Sequence, residues 1–274
     1  MIHKNILITG ASEGFGERIA ATLVDQGYTV VGTSRRAKPL KAITPRRLNM
    51  MPLDVDEDVS VEALYSSLKA LDFKPDAIIL NAGFGVSGSL EESSTHIAKA
   101  QFETNFFGVH RMVHNFMSVL RETHGRLIVV GSISGVIGIP FQGLYSASKF
   151  ALEGYVDALS LEVAMHGVQV SMIQPGDFNT KFGENREFLA ANLASPYEPF
   201  ASAAINIMSE DENNGGDPQV LADTVVVMLA AKKMKRRYLI GSLSECLVTK
   251  IYHFLPYFLR EFILRTTYKI PPAK

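Results

Sequence analysis

Asn5-Ile6-Leu7-Ile8-Thr9-Gly10-Ala11-Ser12-Glu13-Gly14-Phe15-Gly16 is the stretch that decides how this chain folds. An apolar run of strand length opens into glycines. Glu17-Arg18-Ile19-Ala20-Ala21-Thr22-Leu23-Val24 then takes up the period of an amphipathic helix. Glycines at a strand-to-helix turn let the backbone approach a pyrophosphate, which the amides and dipole of the helix N-terminus attract. The spacing is Gly-x-x-x-Gly-x-Gly, not the Gly-x-Gly-x-x-Gly of the standard dinucleotide fingerprint, so the turn alone is weak evidence. Its place directly after the first strand is what gives it weight.

Outward from this turn the chain alternates strand-like and helix-like segments, the pattern of a parallel sheet flanked by helices. Tyr28–Ser34 reads as a second strand and a short one ends at Leu53-Asp54. Ala77–Leu80 is wholly apolar, as a strand covered on both faces should be, and Arg126–Gly131 and Val168–Ile173 repeat that character. Arg237–Gly241 is the last strand, and helices are expected around 59–71, 98–121, 146–166 and 219–232. The expected fold is α/β: a doubly wound, mostly parallel seven-stranded sheet in a single domain, with an amphipathic helical tail. The domain is expected over residues 1–245 and the tail over 246–274. Residues 183–218 lack a strong period and carry the polar run Ser209–Asp217, so they read as a solvated, mobile excursion and a candidate lid.

The bulk numbers exclude several classes. At 274 residues with a formal net charge of −1, the chain has ample core and no electrostatic case for nucleic acid. A single cysteine, Cys246, forbids an intrachain disulfide and fits a reducing, cytoplasmic setting. The N-terminus runs straight into a strand, which leaves no room for a signal peptide, and no apolar stretch is long enough to span a membrane. The seven histidines show no metal-type spacing, and no metal is expected; His110 and His114 lie four apart on an apolar helix, where packing or surface roles suffice.

Ser132, Tyr145 and Lys149 carry the chemistry. On a helix Tyr145 and Lys149, four apart, project from one face. A phenol ordinarily titrates near ~10, and an ammonium one turn away brings it closer to working range. A neighbouring hydroxyl can hold a carbonyl or alcohol oxygen while the phenol passes it a proton. Each piece alone is commonplace; the glycine turn upstream makes the set informative.

Together these segments resemble the short-chain dehydrogenase/reductase family over roughly residues 4–241. Thr9-Gly10-x-x-x-Gly14-x-Gly16 looks like its cofactor turn, with Ser12, Glu13 and Phe15 inside it. Asn81-Ala82-Gly83 looks like its structural motif near the adenine-ribose side, and Asn105 sits where the family keeps a catalytic asparagine. Ser132, Tyr145 and Lys149 match its catalytic set. Pro175-Gly176-x-x-x-Thr180, which contains Phe178, looks like its nicotinamide-side motif. Two positions depart from the common pattern: Leu80 replaces a frequent asparagine, and Glu13 stands where phosphate-preferring members often carry a basic residue.

The end of the second strand bears on the nicotinamide cofactor. An acidic residue there would accept from a ribose 2′-hydroxyl. Ser34-Arg35-Arg36 instead offers two guanidinium groups suited to a 2′-phosphate, so NADP(H) is expected, with Asp54 and Val55 bordering the adenine as the resemblance implies. The resemblance further implies carbonyl–alcohol interconversion, with Tyr145 as proton donor and Ser132 stabilising the substrate oxygen. Lys149 would lower the tyrosine pKa and hold the nicotinamide ribose, and Asn105 would position a water leading from Lys149 to solvent.

Two alternatives stand beside this reading: a catalytically silent NADP(H)-sensing protein of the same fold, and an enoyl C=C reductase, against which the Ser132-to-Tyr145 spacing speaks. In the tail, Leu255, Phe258, Leu259, Phe262 and Ile263 recur at helical spacing behind Pro256. Three readings are open: the tail packs on the domain or a second subunit, roofs the substrate pocket, or lies on a membrane surface. The last two favour a lipophilic steroid, retinoid or fatty-chain substrate. A homo-oligomer is expected through the helices near 98–121 and 146–166, where Ala151, Leu152, Tyr155, Ala158 and Leu159 suit either a subunit contact or the sheet.

Overall fold

A computed structural model describes residues 4–180, 182–183, 186–188, 195–198 and 200–272. The first half contains β1 (Asn5–Thr9), α1 (Gly14–Asp25), β2 (Thr29–Ser34), β3 (Leu48–Pro52), α2 (Asp58–Ala70) and β4 (Ala77–Leu80). Next come β5 (Val86–Ser87), α3 (Thr95–Phe102), α4 (Gly108–Thr123), β6 (Arg126–Val130), α5 (Gly143–Glu162) and β7 (Gln169–Pro175). The chain ends with β8 (Glu187–Phe188), α6 (Phe200–Asn213), α7 (Gln219–Ala230), β9 (Arg237–Ile240), α8 (Leu243–Ile251) and α9 (Tyr257–Tyr268).

Seven strands form one sheet in the order β3-β2-β1-β4-β6-β7-β9, every pair parallel. Strand side chains alternate between faces, and both faces are buried here. Leu7, Ile78, Leu80, Leu127 and Val129 therefore join one core with α2, α4 and α5. Their neighbours Ile6, Ile8, Ala77, Ile79, Ile128 and Val130 join a second core with α1 and α7. The chain's winding reverses between β1 and β4, and such a switch point opens a crevice at the carboxyl ends of the strands. Thr9 and Asn81 pin that point: the Thr9 hydroxyl accepts from the amides of Asn81 (3.0 Å) and Ala82 (3.1 Å). The Asn81 amide group donates to Gly10 O at 2.9 Å.

Two expectations need correction. The helix expected over 98–121 is interrupted by a π-turn at Glu103–Phe107 between α3 and α4. The wide turn carries an extra residue and directs Asn105 inward onto Phe84. The polar run after Ser209 is helical through Asn213, because Ala201, Ala204 and Met208 bury one side of α6. In α9 the residues packed on the body are Leu264 and Tyr268, against Ile137, Ile139 and Met208; Phe258 and Phe262 stay outside. The remaining expected lid positions, among them 189–194, lie outside the described residues.

Candidate active site

Local backbone rules build the first half of the site. Gly10 takes a positive φ of 66°, and a side chain on Gly16 would strike the Gly10 carbonyl at 2.0 Å. Both positions therefore need glycine. The turn delivers the chain into α1, whose N-terminus has no side-chain cap. Its first amides are thus available to an anion.

Around this turn opens a cavity of about 820 Å³, a size usual for small-molecule sites. At one end it is lined by Gly10, Ser12, Glu13, Gly14 and Phe15, by Ser34, Arg35 and Arg36 beyond β2, and by Asp54 and Val55. Asn81, Ala82 and Gly83 form the floor after β4, and Pro175, Gly176, Phe178 and Thr180 the wall after β7. Gly16 is covered beneath the turn and shapes it from behind. Arg35 and Arg36 are exposed and form no ion pair among the described residues. A cleft with an uncapped helix N-terminus and two arginines at its far end fits a phosphorylated dinucleotide.

The other end holds Ser132, Tyr145 and Lys149. Ser132 stands just beyond β6, its hydroxyl accepting from Ser134 N at 3.0 Å. Tyr145 and Lys149 project from the first turns of α5, and both are buried. Burial pushes the phenol up to about 12, partly offset by a hydrogen bond to Ser132 and by the charge of Arg186. Burial likewise pulls the Lys149 ammonium down to about 8, against the pull of Glu153. The lysine lies over the tyrosine ring, Nζ 5.6 Å from its centroid, and donates to Val130 O at 2.9 Å. In this geometry desolvation dominates the phenol, and Ser132 and Arg186 oppose it. Asn105 is held from two sides. Its Nδ2 donates to Phe84 O and Ser148 Oγ, each at 3.0 Å, and its Oδ1 accepts from Phe84 N at 3.0 Å. The side chain thus has no hydrogen left for a water.

Several lining residues were not anticipated: Ile139, Gln142, Asp177, Phe182, Arg186, Met208, Asp211, Glu212 and Tyr268. Only Asp177 lay inside a recognised motif. Burial and then Glu245, Glu212 and Asp211 push its carboxyl up to about 7. Tyr268 brings the end of α9 into the wall, so the tail both packs on the domain and reaches the pocket. Leu152 and Leu159 turn into the core, which removes them from any contact between subunits. No group of three or more metal-ligating side chains occurs among the described residues.

A doubly wound parallel sheet with a glycine turn at its switch point defines the Rossmann-like class of α/β proteins. The chain belongs to the short-chain dehydrogenase/reductase family of oxidoreductases: the short chain dehydrogenase profile matches residues 4–188. It is 39% identical over 269 residues to a 3-ketodihydrosphingosine reductase of Bacteroides thetaiotaomicron, covering 97% of this chain and 98% of that one. A solved short-chain dehydrogenase from Streptomyces avermitilis superposes with a TM-score of 0.79 at 28% identity, covering 96% and 98% of the two chains. An alcohol dehydrogenase from Thermococcus sibiricus, complexed with 5-hydroxy-NADP, gives 0.70 at 25% identity, covering 88% and 97%. A more distant fold neighbour from Burkholderia phymatum, at 21% identity and a TM-score of 0.77, covers 99% and 97% and is in complex with NAD. Relatives of this fold thus bind either nicotinamide dinucleotide.

Proposed function

We propose that the protein is an NADP(H)-dependent oxidoreductase that interconverts a carbonyl and a primary or secondary alcohol on a lipophilic substrate. The observation that carries this is the buried phenol of Tyr145, hydrogen-bonded to Ser132 in the same cavity as the glycine turn. Arg35 and Arg36, with no carboxylate beside them at the end of β2, support NADP(H) over NAD(H). Gly10, Ser12, Gly14, Phe15 and the α1 N-terminus would hold the pyrophosphate, with Asp54 and Val55 beside the adenine. Pro175, Gly176, Phe178 and Thr180 would face the nicotinamide. When bound, the nucleotide supplies or accepts the hydride.

In the reducing direction Tyr145 Oη gives its proton to the substrate oxygen. A phenol held above its ordinary pKa remains protonated at neutral pH and is ready to do so. Ser132 steadies the negative charge developing on that oxygen. Lys149, pulled down to about 8, exchanges a proton readily near neutral pH and is placed to restore the one Tyr145 gives up. Asn105, with a lone pair of Oδ1 still open beside Phe84 N, would position a water leading from Lys149 to solvent.

Ile139, Phe182, Met208 and Tyr268 give the substrate end an apolar wall. The relative named a 3-ketodihydrosphingosine reductase favours the fatty-chain member of the steroid, retinoid or fatty-chain class. Steady-state NADPH oxidation with long-chain ketones, aldehydes and enoyl thioesters tests the reading. Turnover is expected with long-chain ketones. Tight NADPH binding without turnover on any of them would favour a silent NADP(H) sensor instead.

The tail supports a second reading, peripheral membrane contact: Phe254, Tyr257, Phe258 and Phe262 are exposed together on the outer side of α8–α9. No helix among the described residues is long and apolar enough to cross a membrane. Exposed Phe107, Phe150 and Leu161, near or on α4 and α5, suit a homo-oligomeric contact.

A further inference from the structure

Arg186 is the least expected residue in the cavity. It is 5% exposed, yet it lines the pocket beside Tyr145. One side of the guanidinium is fixed: Nη2 forms an ion pair with Glu212 from α6. Its Cζ lies 5.9 Å from the Phe182 ring centroid, and the centroids of the Phe182 and Tyr145 rings are 5.6 Å apart. Nη1 is buried and has no hydrogen-bond partner among the described residues. A buried donor left unpaired is costly, so such groups call for an explanation. Glu212 Oε2 is likewise buried without a hydrogen-bond partner among the described residues. The Arg186–Glu212 pair thus keeps one unmet donor and one unmet acceptor beside the pocket that both residues line.

Charge narrows the partner further. Asp177, Asp211 and Glu212 line the same end, with Glu245 accepting from Asp177 N at 2.7 Å behind them. Arg186 is the one arginine among these carboxylates, and Glu212 already neutralises it. A carboxylate or phosphate on the substrate would meet a surplus of negative charge. A neutral oxygen, or one accompanied by an amino group, would not.

We infer that Arg186, oriented by Glu212, is a specificity-determining residue that donates through Nη1 to a hydroxyl or similar neutral oxygen close to the reacting carbonyl. This deepens the proposed carbonyl reduction and rests on it. The substrate class it names is a long-chain ketone bearing a neighbouring hydroxyl, uncharged or cationic at its polar end.

The test compares three probes in NADPH-dependent reduction: a long-chain hydroxymethyl ketone, the methyl ketone of the same chain length, and the corresponding α-keto acid. With the wild-type protein, kcat/KM is expected to favour the hydroxymethyl ketone over the methyl ketone by roughly tenfold or more, the order of a charge-assisted hydrogen bond. The keto acid should be the poorest of the three. In Arg186→Met the ratio of hydroxymethyl to methyl ketone should collapse at least ~5-fold, most of the effect that this bond confers. Equal losses on both ketones would mean a structural role only and would overturn the inference. So would wild-type parity between the ketones, or a preference for the keto acid. If Arg186→Met no longer binds NADPH, the wild-type ratios decide alone. No reduction of any probe by the wild-type protein would instead sink carbonyl reduction itself, a distinguishable failure.

Discussion

The two ends of the cavity are built by different means. The nucleotide end comes from short loops at the carboxyl ends of β1, β2, β4 and β7, and backbone conformation does much of the shaping. The substrate end is assembled from side chains far apart in the chain: Ile139 and Gln142 before α5, Phe182 and Arg186 before β8, Met208 and Glu212 on α6, Tyr268 at the end of α9. One end depends on residues whose spacing is fixed by a turn. The other depends on tertiary packing that brings four segments to one wall.

That contrast can be tested at each end. At the nucleotide end a large effect is expected, because charge at the end of β2 is proposed to set the choice of cofactor. Replacing Ser34 by Asp together with Arg35 by Leu removes a cation and adds an acceptor for a 2′-hydroxyl. The ratio of kcat/KM for NADPH over NADH should fall about a hundredfold, the scale of one or two charge-assisted contacts. An unchanged ratio would detach the arginines from cofactor choice.

At the junction of the two ends, Lys149 makes a prediction about stability and pH. Its folded-state pKa of about 8 lies below the ordinary value of 10.5. The folded protein therefore releases this proton before the unfolded chain does, and stability should rise with pH from about 8 toward 10.5. Between about pH 7.5 and about pH 9.5 the wild-type protein should gain about 2 kcal/mol from this group alone, a gain that Lys149→Met should lack. Urea melts of both proteins at the two pH values check it; parallel curves would show that the lysine is not desolvated.

The smallest effect is expected outside the cavity. Phe258→Ser with Phe262→Ser changes two exposed side chains and should leave thermal stability nearly unaltered. It should reduce co-sedimentation with anionic phospholipid vesicles severalfold, since each exposed aromatic contributes on the order of 1–3 kcal/mol when buried in the interface. Equal pelleting of both proteins would end the membrane reading.

The sequence disclosed the two ends unequally, for the same physical reason. The central strands of the seven-stranded sheet were readable because double burial makes Ala77–Leu80 and Leu127–Val130 continuously apolar. The edge strands at Leu48–Pro52 and Arg237–Ile240 were readable from their place in the alternation. The glycine turn and the Tyr145–Lys149 pair were readable because local geometry fixes their spacing. The inward turn at Asn105 was not, since the π-turn depends on Phe84, twenty-one positions earlier in the chain. Nor was α6, where small alanines and an acidic run conceal a buried face of Ala201, Ala204 and Met208. In α9 the helical period of Phe258 and Phe262 left the partner of that face open; Leu264 and Tyr268 are the residues that meet α6. The expected site residues line the cavity except Gly16, which shapes the turn from behind, and Asn105, which is buried against Phe84 and Ser148. Arg186 and Glu212 carried no signal, because nothing local requires them.

Tyr145→Phe provides the most direct measurement. It removes the one hydroxyl proposed to carry the proton while keeping the ring that packs against Phe182. Single-turnover reduction of a long-chain ketone should slow by at least ~10³-fold, within the range for a general acid, with the NADPH dissociation constant within about threefold of wild type. Reduction at a comparable rate by this variant would show that another group delivers the proton, and the chemistry assigned to the cavity would be wrong.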